Sequence, residues 1–180
     1  MRVARGNLHS LGQTEGWQKM AIIFVRTDDR FIHGQVTTGW ARKAGANKII
    51  LVNDGIAGDQ LIQKLQKMSA GPGVEVQFLT LTEAEAIIQG NGLNGDRSFL
   101  LVESPLDLWR LVEAGLKIDE VNLGNLRYEP GREKLTKWMF VDEKQTQALK
   151  DLDARGIRLT AQWVIGQESV NVNDWLKKNA

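Results

Sequence analysis

From Met20 onward, short apolar runs alternate with stretches of helical period, and this alternation restricts the chain to βα units built around a largely parallel sheet. Strands are expected at residues 22–25, 48–52, 74–79, 98–102, 120–123, 138–141 and 158–164, and helices at 35–44, 59–70, 83–89, 106–114 and 143–154. Helix-stop chemistry agrees with these boundaries. Gly45 and Gly115 stand where a C-terminal cap needs positive φ, and Ser104 before Pro105 supplies an N-cap followed by proline in the first turn. Apolar spacing places Val36, Trp40 and Ala44 on one helix face, Leu61, Leu65 and Met68 on another, and Leu108, Leu111 and Val112 on a third. The fold class that follows is α/β: a single open, predominantly parallel twisted sheet of about seven strands with helices on both faces. Residues 166–180 read as a polar tail with one apolar anchor pair, Trp175 and Leu176.

A chain of 180 residues, 42% of them hydrophobic, is long enough to bury one ordinary core. Residues 20–180 are read as a single domain. Residues 1–19 lack apolar periodicity and the apolar stretch of a secretory signal, so they read as a disordered extension, a cloning remnant or an upstream start. Lysine and arginine total 23 against 22 acidic residues. No overall field would therefore hold nucleic acid or an anionic membrane, and phosphate recognition has to be local. The absence of cysteine excludes a disulfide framework, thiolate zinc sites and a cysteine nucleophile, and fits a reducing compartment. No apolar stretch approaches the roughly 20 residues of a membrane span.

In an open α/β sheet, ligands gather beyond the carboxyl ends of the strands, where the strand order reverses. The first such end carries Arg26 and then Asp28-Asp29-Arg30-Phe31-Ile32-His33-Gly34. Loops expected at the same edge carry Asn53 and Asp54, Glu103 and Ser104, and Gly124 and Asn125, candidate second walls of one cleft. His33, with a reference pKa of about 6.5, is mostly neutral and nucleophilic near pH 7 and can accept a phosphoryl group without a metal or cofactor. Arg26 and Arg30 could hold that group with forked hydrogen bonds, aided by the amides of the helix start. Asp28 or Asp29 could orient the imidazole or hold an arginine. Gly34 removes side-chain bulk beside the phosphate, and Gln35 could donate a neutral hydrogen bond. Phe31 and Ile32 could equally form a docking rim or pack inward against the sheet. His9 lies in the extension and has no role assigned. Trp40, Trp109, Trp138 and Trp163 fit packing better than a sugar platform. Gly71-Pro72-Gly73 is a helix-to-strand turn, and no nucleotide phosphate loop of the G-x-x-x-x-G-K-[ST] kind is present.

The segment Val25-Arg26-Thr27-Asp28-Asp29-Arg30-Phe31-Ile32-His33-Gly34-Gln35-Val36 closely resembles the active-site segment of the EIIB proteins of the mannose/fructose/sorbose phosphotransferase system. The likeness continues through Ile49–Asp54, Gly71–Val76, Leu111–Gly115, Val121–Asn125 and Gly131–Thr136, so it covers nearly all of Met20 to about Trp175. It departs at Phe31, where leucine is usual, and at Leu126-Arg127-Tyr128, where family sequences vary. The resemblance implies an open α/β fold and a protein-phosphohistidine-sugar phosphotransferase. It implies that His33 is transiently phosphorylated, at Nδ1 in this family, by an EIIA protein or domain, and that the group passes to a sugar presented by the membrane components EIIC and EIID. It also implies a cytoplasmic protein held at the inner face of the membrane through those partners. Docking of two partners in turn predicts an exposed His33 on a shallow face. Two other readings of the residues are a histidine phosphatase and a non-catalytic anion-binding α/β module. In the phosphatase signature the arginine directly precedes the histidine, whereas Arg30 stands three residues before His33. The sugar and the oligomeric state stay open, since exposed apolar strand-edge residues could also make a homo-oligomer.

Overall fold

The computed structural model describes residues 20–90 and 95–178. The extension over residues 1–19, and His9 with it, lies outside the described residues. The strands are β1 (Met20–Thr27), β2 (Lys48–Val52), β3 (Glu75–Leu79), β4 (Gly95–Val102), β5 (Glu120–Leu123), β6 (Glu133–Lys134), β7 (Phe140–Val141), β8 (Arg158–Ala161) and β9 (Val170–Asn171). Between them run α1, made of a π-helical Gln35–Ala41 and an α-helical Arg42–Ala44, then α2 (Asp54–Ala57), α3 (Gln60–Ala70), α4 (Leu81–Gly90), α5 (Pro105–Glu113), α6 (Glu143–Ala154) and α7 (Val172–Lys178).

Seven strands form one sheet in the order β3-β2-β4-β1-β5-β8-β9. Its pairings are parallel except β8 with β9. The sheet is covered on both sides, and β2 shows why its strands read as unbroken apolar runs. Ile50 and Val52 join the core beneath α4, α5, α6 and α7, while Ile49 and Leu51 join the one beneath α1, and all four are buried. Helix boundaries follow side-chain chemistry: Ser104 and Asp107 form a reciprocal capping box at α5, as Asp142 and Gln145 do at α6. Gly45 ends α1 at φ 67° and Gly115 follows α5 at φ 112°, as a cap needs.

Three expectations are corrected. The seventh strand of the main sheet is Val170–Asn171, whereas Phe140–Val141 pairs with Glu133–Lys134 in a separate antiparallel hairpin; two-residue strands are too short to show an alternation. The supposed tail forms β9 and α7, with Val172 and Leu176 buried. The strand expected to reach Val164 stops at Ala161, because the carbonyls of Gln162 and Trp163 turn to accept from Arg26. Leu61, Leu65 and Met68 share a face of α3, as their spacing leads one to expect, and that face points to solvent.

Candidate functional site

After β1 the chain runs left across β4 to β2, while after β5 it runs right to β8, so the strand order reverses between β1 and β5. The loop from Asp28 to Gly34 and the loop from Gly124 to Arg127 meet at this point. Backbone bonds join them: Gly124 N donates to Thr27 O at 2.8 Å and Asp29 N to Asn125 O at 3.1 Å, while Asp28 N donates to Val102 O of β4 at 3.0 Å.

Arg26, on β1, is fully buried and its guanidinium donors are spent inside the protein. Nε and Nη2 donate to Asp28 Oδ2 at 3.2 and 2.8 Å, Nη1 to Asn122 Oδ1 and to Gln162 O, and Nη2 also to Trp163 O. The guanidinium also lies over the Trp40 ring, 5.0 Å from its centroid. The expectation that Arg26 reaches the phosphate directly is corrected accordingly: it ties β1, β5 and the segment after β8 together beneath the loop. Gly124 is required here by space. A Cβ would fall 2.6 Å from Asp28 Oδ2 and against the Arg26 guanidinium.

The two aspartates divide the loop's support. Asp28 Oδ1 accepts from Arg30 N and Asp28 O from Phe31 N, forming a tight turn that holds Phe31 at φ 55°. A bulky side chain at positive φ is sparsely populated and persists where its surroundings enforce it. Asp29 is nearly buried and is gripped by Asn125 Nδ2 at 2.6 Å and by Arg127, whose N and Nε reach Oδ2 at 2.9 and 2.7 Å and whose Nη2 reaches Asp29 O. Burial pushes the Asp29 carboxyl up, but these hydrogen bonds outweigh it and hold the pKa below the usual range. Neither aspartate hydrogen-bonds the His33 ring, which corrects the orienting role expected of them; Asp28 acts on the imidazole through space.

His33 is half-buried, and both of its ring nitrogens are enclosed with no hydrogen-bond partner, as is Gln35 Oε1. The exposed, shallow placement is therefore corrected. Burial lowers the His33 pKa most; Asp28 raises it, and Arg30 and Arg26 lower it further. The ring is thus kept neutral and nucleophilic through physiological pH. Arg30 is exposed beside it, and its side chain makes no hydrogen bond or ion pair among the described residues. Ile32 packs inward, while its N–H donates to Gln66 Oε1 of α3 at 2.8 Å, and Phe31 packs partly against the same core. Gly34 has an ordinary helical φ of −48° and open space where a Cβ would stand, so no contact among the described residues demands a glycine there. The π-helical turns that follow are a backbone form concentrated at functional sites.

Among the other expected wall residues, Gly124 and Asn125 touch the loop. Asn53 and Asp54 serve neighbouring segments: Asn53 caps α2 and donates to Glu103 Oε2 at 2.7 Å, and Asp54 Oδ1 accepts from Leu81 N. Glu103 has a raised pKa, first from burial and then from the Asp107 and Asp29 charges. Residues that sequence reasoning missed are Asn122, Gln66 and Arg127. An Asn between Val121 and Leu123 was a visible signal, because a polar residue between two buried apolar neighbours in a strand needs a partner. Arg127 and Gln66 left no such mark.

The sequence profile described as "PTS system sorbose subfamily IIB component" matches residues 22–180. The chain is 35% identical over 161 residues to the sorbose-specific EIIB component of Klebsiella pneumoniae, covering 89% of this chain and 98% of that relative. It is also 35% identical over 159 residues to the mannose-specific EIIAB component of Escherichia coli strain K12, spanning 88% of this chain and 49% of that longer protein. Among solved structures, the IIBSor domain of the Klebsiella pneumoniae sorbose permease superposes with a TM-score of 0.81 at 35% identity, covering 89% of this chain and 99% of that one.

Proposed function

The chain belongs to the sorbose-subfamily EIIB family of the sugar phosphotransferase system, and we propose that His33 is the residue on which it carries the phosphoryl group. Members of this family are phosphotransferases that take phosphate from EIIA and deliver it to a sugar during uptake, and this chain does the same. The observation that carries the assignment of His33 is its environment: a neutral, unpartnered imidazole at the point where the strand order reverses, with an exposed guanidinium beside it.

In the first half-reaction a His33 ring nitrogen attacks the phosphorus of the EIIA phosphohistidine in line, the new N–P bond forming as the donor's breaks. In the second, a sugar hydroxyl oxygen attacks the same phosphorus as the N–P bond to His33 breaks, and the hydroxyl proton passes to the departing ring nitrogen, which leaves His33 neutral again. Arg30 balances charge on the phosphoryl oxygens as they pass, and the amides at the start of α1 add donors that the helix itself cannot use. Arg26 acts through Asp28, by keeping the loop rigid. Because both ring nitrogens are enclosed, docking of a partner turns the imidazole outward before transfer, a gating step that also keeps water from the phosphohistidine. EIIC and EIID present the sugar at the membrane, and the chain works on the cytoplasmic side; among the described residues no helix is long and apolar enough to cross a membrane. Equal identity to a sorbose-specific and a mannose-specific relative supports a division of labour in which the membrane components choose the sugar.

The test is incubation with phosphoenolpyruvate, the general phosphotransferase proteins and EIIA. Wild type acquires an acid-labile phosphate and His33→Ala acquires none. Labelling of the variant, or none of the wild type, rejects the assignment.

A further inference from the structure

Helix α3 is docked inside out. Its inward contacts are made by Gln63, whose Nε2 donates to the carbonyls of Ile56 and Ala57, by Gln66, which accepts from Ile32 N, and by the buried Ala70. Its large apolar side chains face solvent: Leu61 is 69% exposed, Ile62 38%, Leu65 54% and Met68 71%. Single exposed leucines are ordinary, but Leu61, Leu65 and Met68 stand at i, i+4 and i+7 and make one stripe about 10 Å long. The amphipathic pattern is strong, and it serves something other than this chain's core.

We infer that this stripe is the docking face for the phosphoryl-donor protein, the phosphorylated EIIA; the inference rests on the phosphocarrier reading above. Three observations select that occupant. First, α3 is fastened to the His33 loop and to the helix that follows it: Ile32 N donates to Gln66 Oε1 at 2.8 Å, and Thr37 Oγ1 of α1 donates to Ser69 O at 3.4 Å. A protein seated on the stripe is therefore beside His33, where the donor's phosphohistidine has to arrive. Second, the helix is cationic, with Lys64 flanking the stripe and Lys67 further round, its Nζ 5.6 Å from the Phe78 ring centroid. Residues 60–70 carry Lys64 and Lys67 and no acidic residue, both lysines are exposed, and Arg30 is exposed on the adjoining loop. This complements a donor surface bearing an anionic phosphoryl group, and disfavours a second copy that would present the same charges. Third, two lysines fall short of the four or so basic residues that hold a protein on an anionic lipid surface. A short apolar stripe with a charged rim suits a relay partner that binds, hands over and leaves.

The experiment varies phospho-EIIA of the same transport system and follows the initial rate of phosphate transfer to the intact chain. Leu65→Asp and Met68→Asp should each raise KM for phospho-EIIA by about tenfold or more while kcat changes less than about twofold. Leu106→Asp, an exposed position on α5 at the other face of the sheet, should leave both unchanged. The double variant Lys64→Glu/Lys67→Glu should raise KM and flatten its dependence on salt. Unchanged melting temperatures establish that the variants are folded. The inference is overturned if KM for phospho-EIIA is unchanged in the α3 variants, if Leu65→Asp acts only by dissociating a dimer of this chain, or if it slows only delivery from the phosphorylated protein to sugar in membranes. Failure of the wild type to accept phosphate, or labelling of His33→Ala, would instead remove the underlying reading.

Discussion

The Arg26 guanidinium and the Asp28 carboxylate form an ion pair with no solvent exposure, Nη2 to Oδ2 at 2.8 Å, directly beneath the loop that carries His33. Two charges taken out of water depend on each other and on the further acceptors that surround them, here Asn122 Oδ1 and the carbonyls of Gln162 and Trp163.

Removing one partner should accordingly cost far more than removing both. Arg26→Leu or Asp28→Leu alone is expected to destabilise the protein by about 3–5 kcal/mol, and the double variant by clearly less than the sum, since no charge is then stranded. Urea denaturation of the four proteins gives the coupling energy directly. Additive losses would show that the pair is not the unit described here.

Gly124 should tolerate no side chain. Gly124→Ala places a methyl against Arg26 and Asp28, both fixed by their bonds, and overpacking of this kind costs about 1–3 kcal/mol. Because the same two residues underpin the turn at Phe31, phosphate acceptance by His33 should fall along with the melting temperature. A variant with wild-type stability and rate would show that the loop can yield.

Acid should weaken the fold through His33. Its folded pKa lies below the ordinary value of about 6.5, chiefly through burial. As pH falls through 6.5 the unfolded chain takes up a proton before the folded one, so stability is lost from that pH downward until the folded group titrates too. The only other histidine is His9. In His9→Ala, the ring-proton NMR titration should report a single midpoint below 6.5, and Arg30→Gln should raise it, because Arg30 is one of the charges that lower it. An unshifted midpoint would contradict the enclosed ring.

Arg127 should matter through Asp29. The Asp29 carboxyl is held below its ordinary pKa, so the stability it contributes is present above about pH 4 and is lost as pH falls through the depressed folded value. Arg127→Ala removes two of its hydrogen bonds, Nε to the carboxylate and Nη2 to the carbonyl, and keeps the one that the Arg127 backbone N–H donates to Oδ2. Because the Arg127 side chain is 62% exposed, the loss at neutral pH should be modest, about 1 kcal/mol. The acid-unfolding midpoint should move to higher pH than in wild type. Arg127→Lys should recover little of this, since an ammonium cannot span both the carboxylate and the carbonyl.

The site was legible in part. The run from Arg26 to Gly34 announced its chemistry because strand, charged turn, histidine and helix start are adjacent in the chain. What each charged group does was not legible: Arg26 reads as a phosphate ligand until its partners at Asn122, Gln162 and Trp163 are seen, and those lie 96 to 137 positions away. The outward aim of the α3 face was not legible for a related reason. Helical spacing reports that apolar residues share a side, and it is silent on whether that side meets the core.

The amino-acid sequence by itself determined the βα alternation, the capped helices, the parallel sheet and the location of the histidine loop, since each depends on propensity, periodicity or turn chemistry within a few residues. Only the tertiary structure decided the order of the strands, the reversal between β1 and β5, the burial of Arg26 with Asp28, the grip of Arg127 on Asp29 and the outward turn of Leu65. These depend on which distant groups satisfy one another once water is excluded, and a buried charge takes whatever partners the completed fold brings to it.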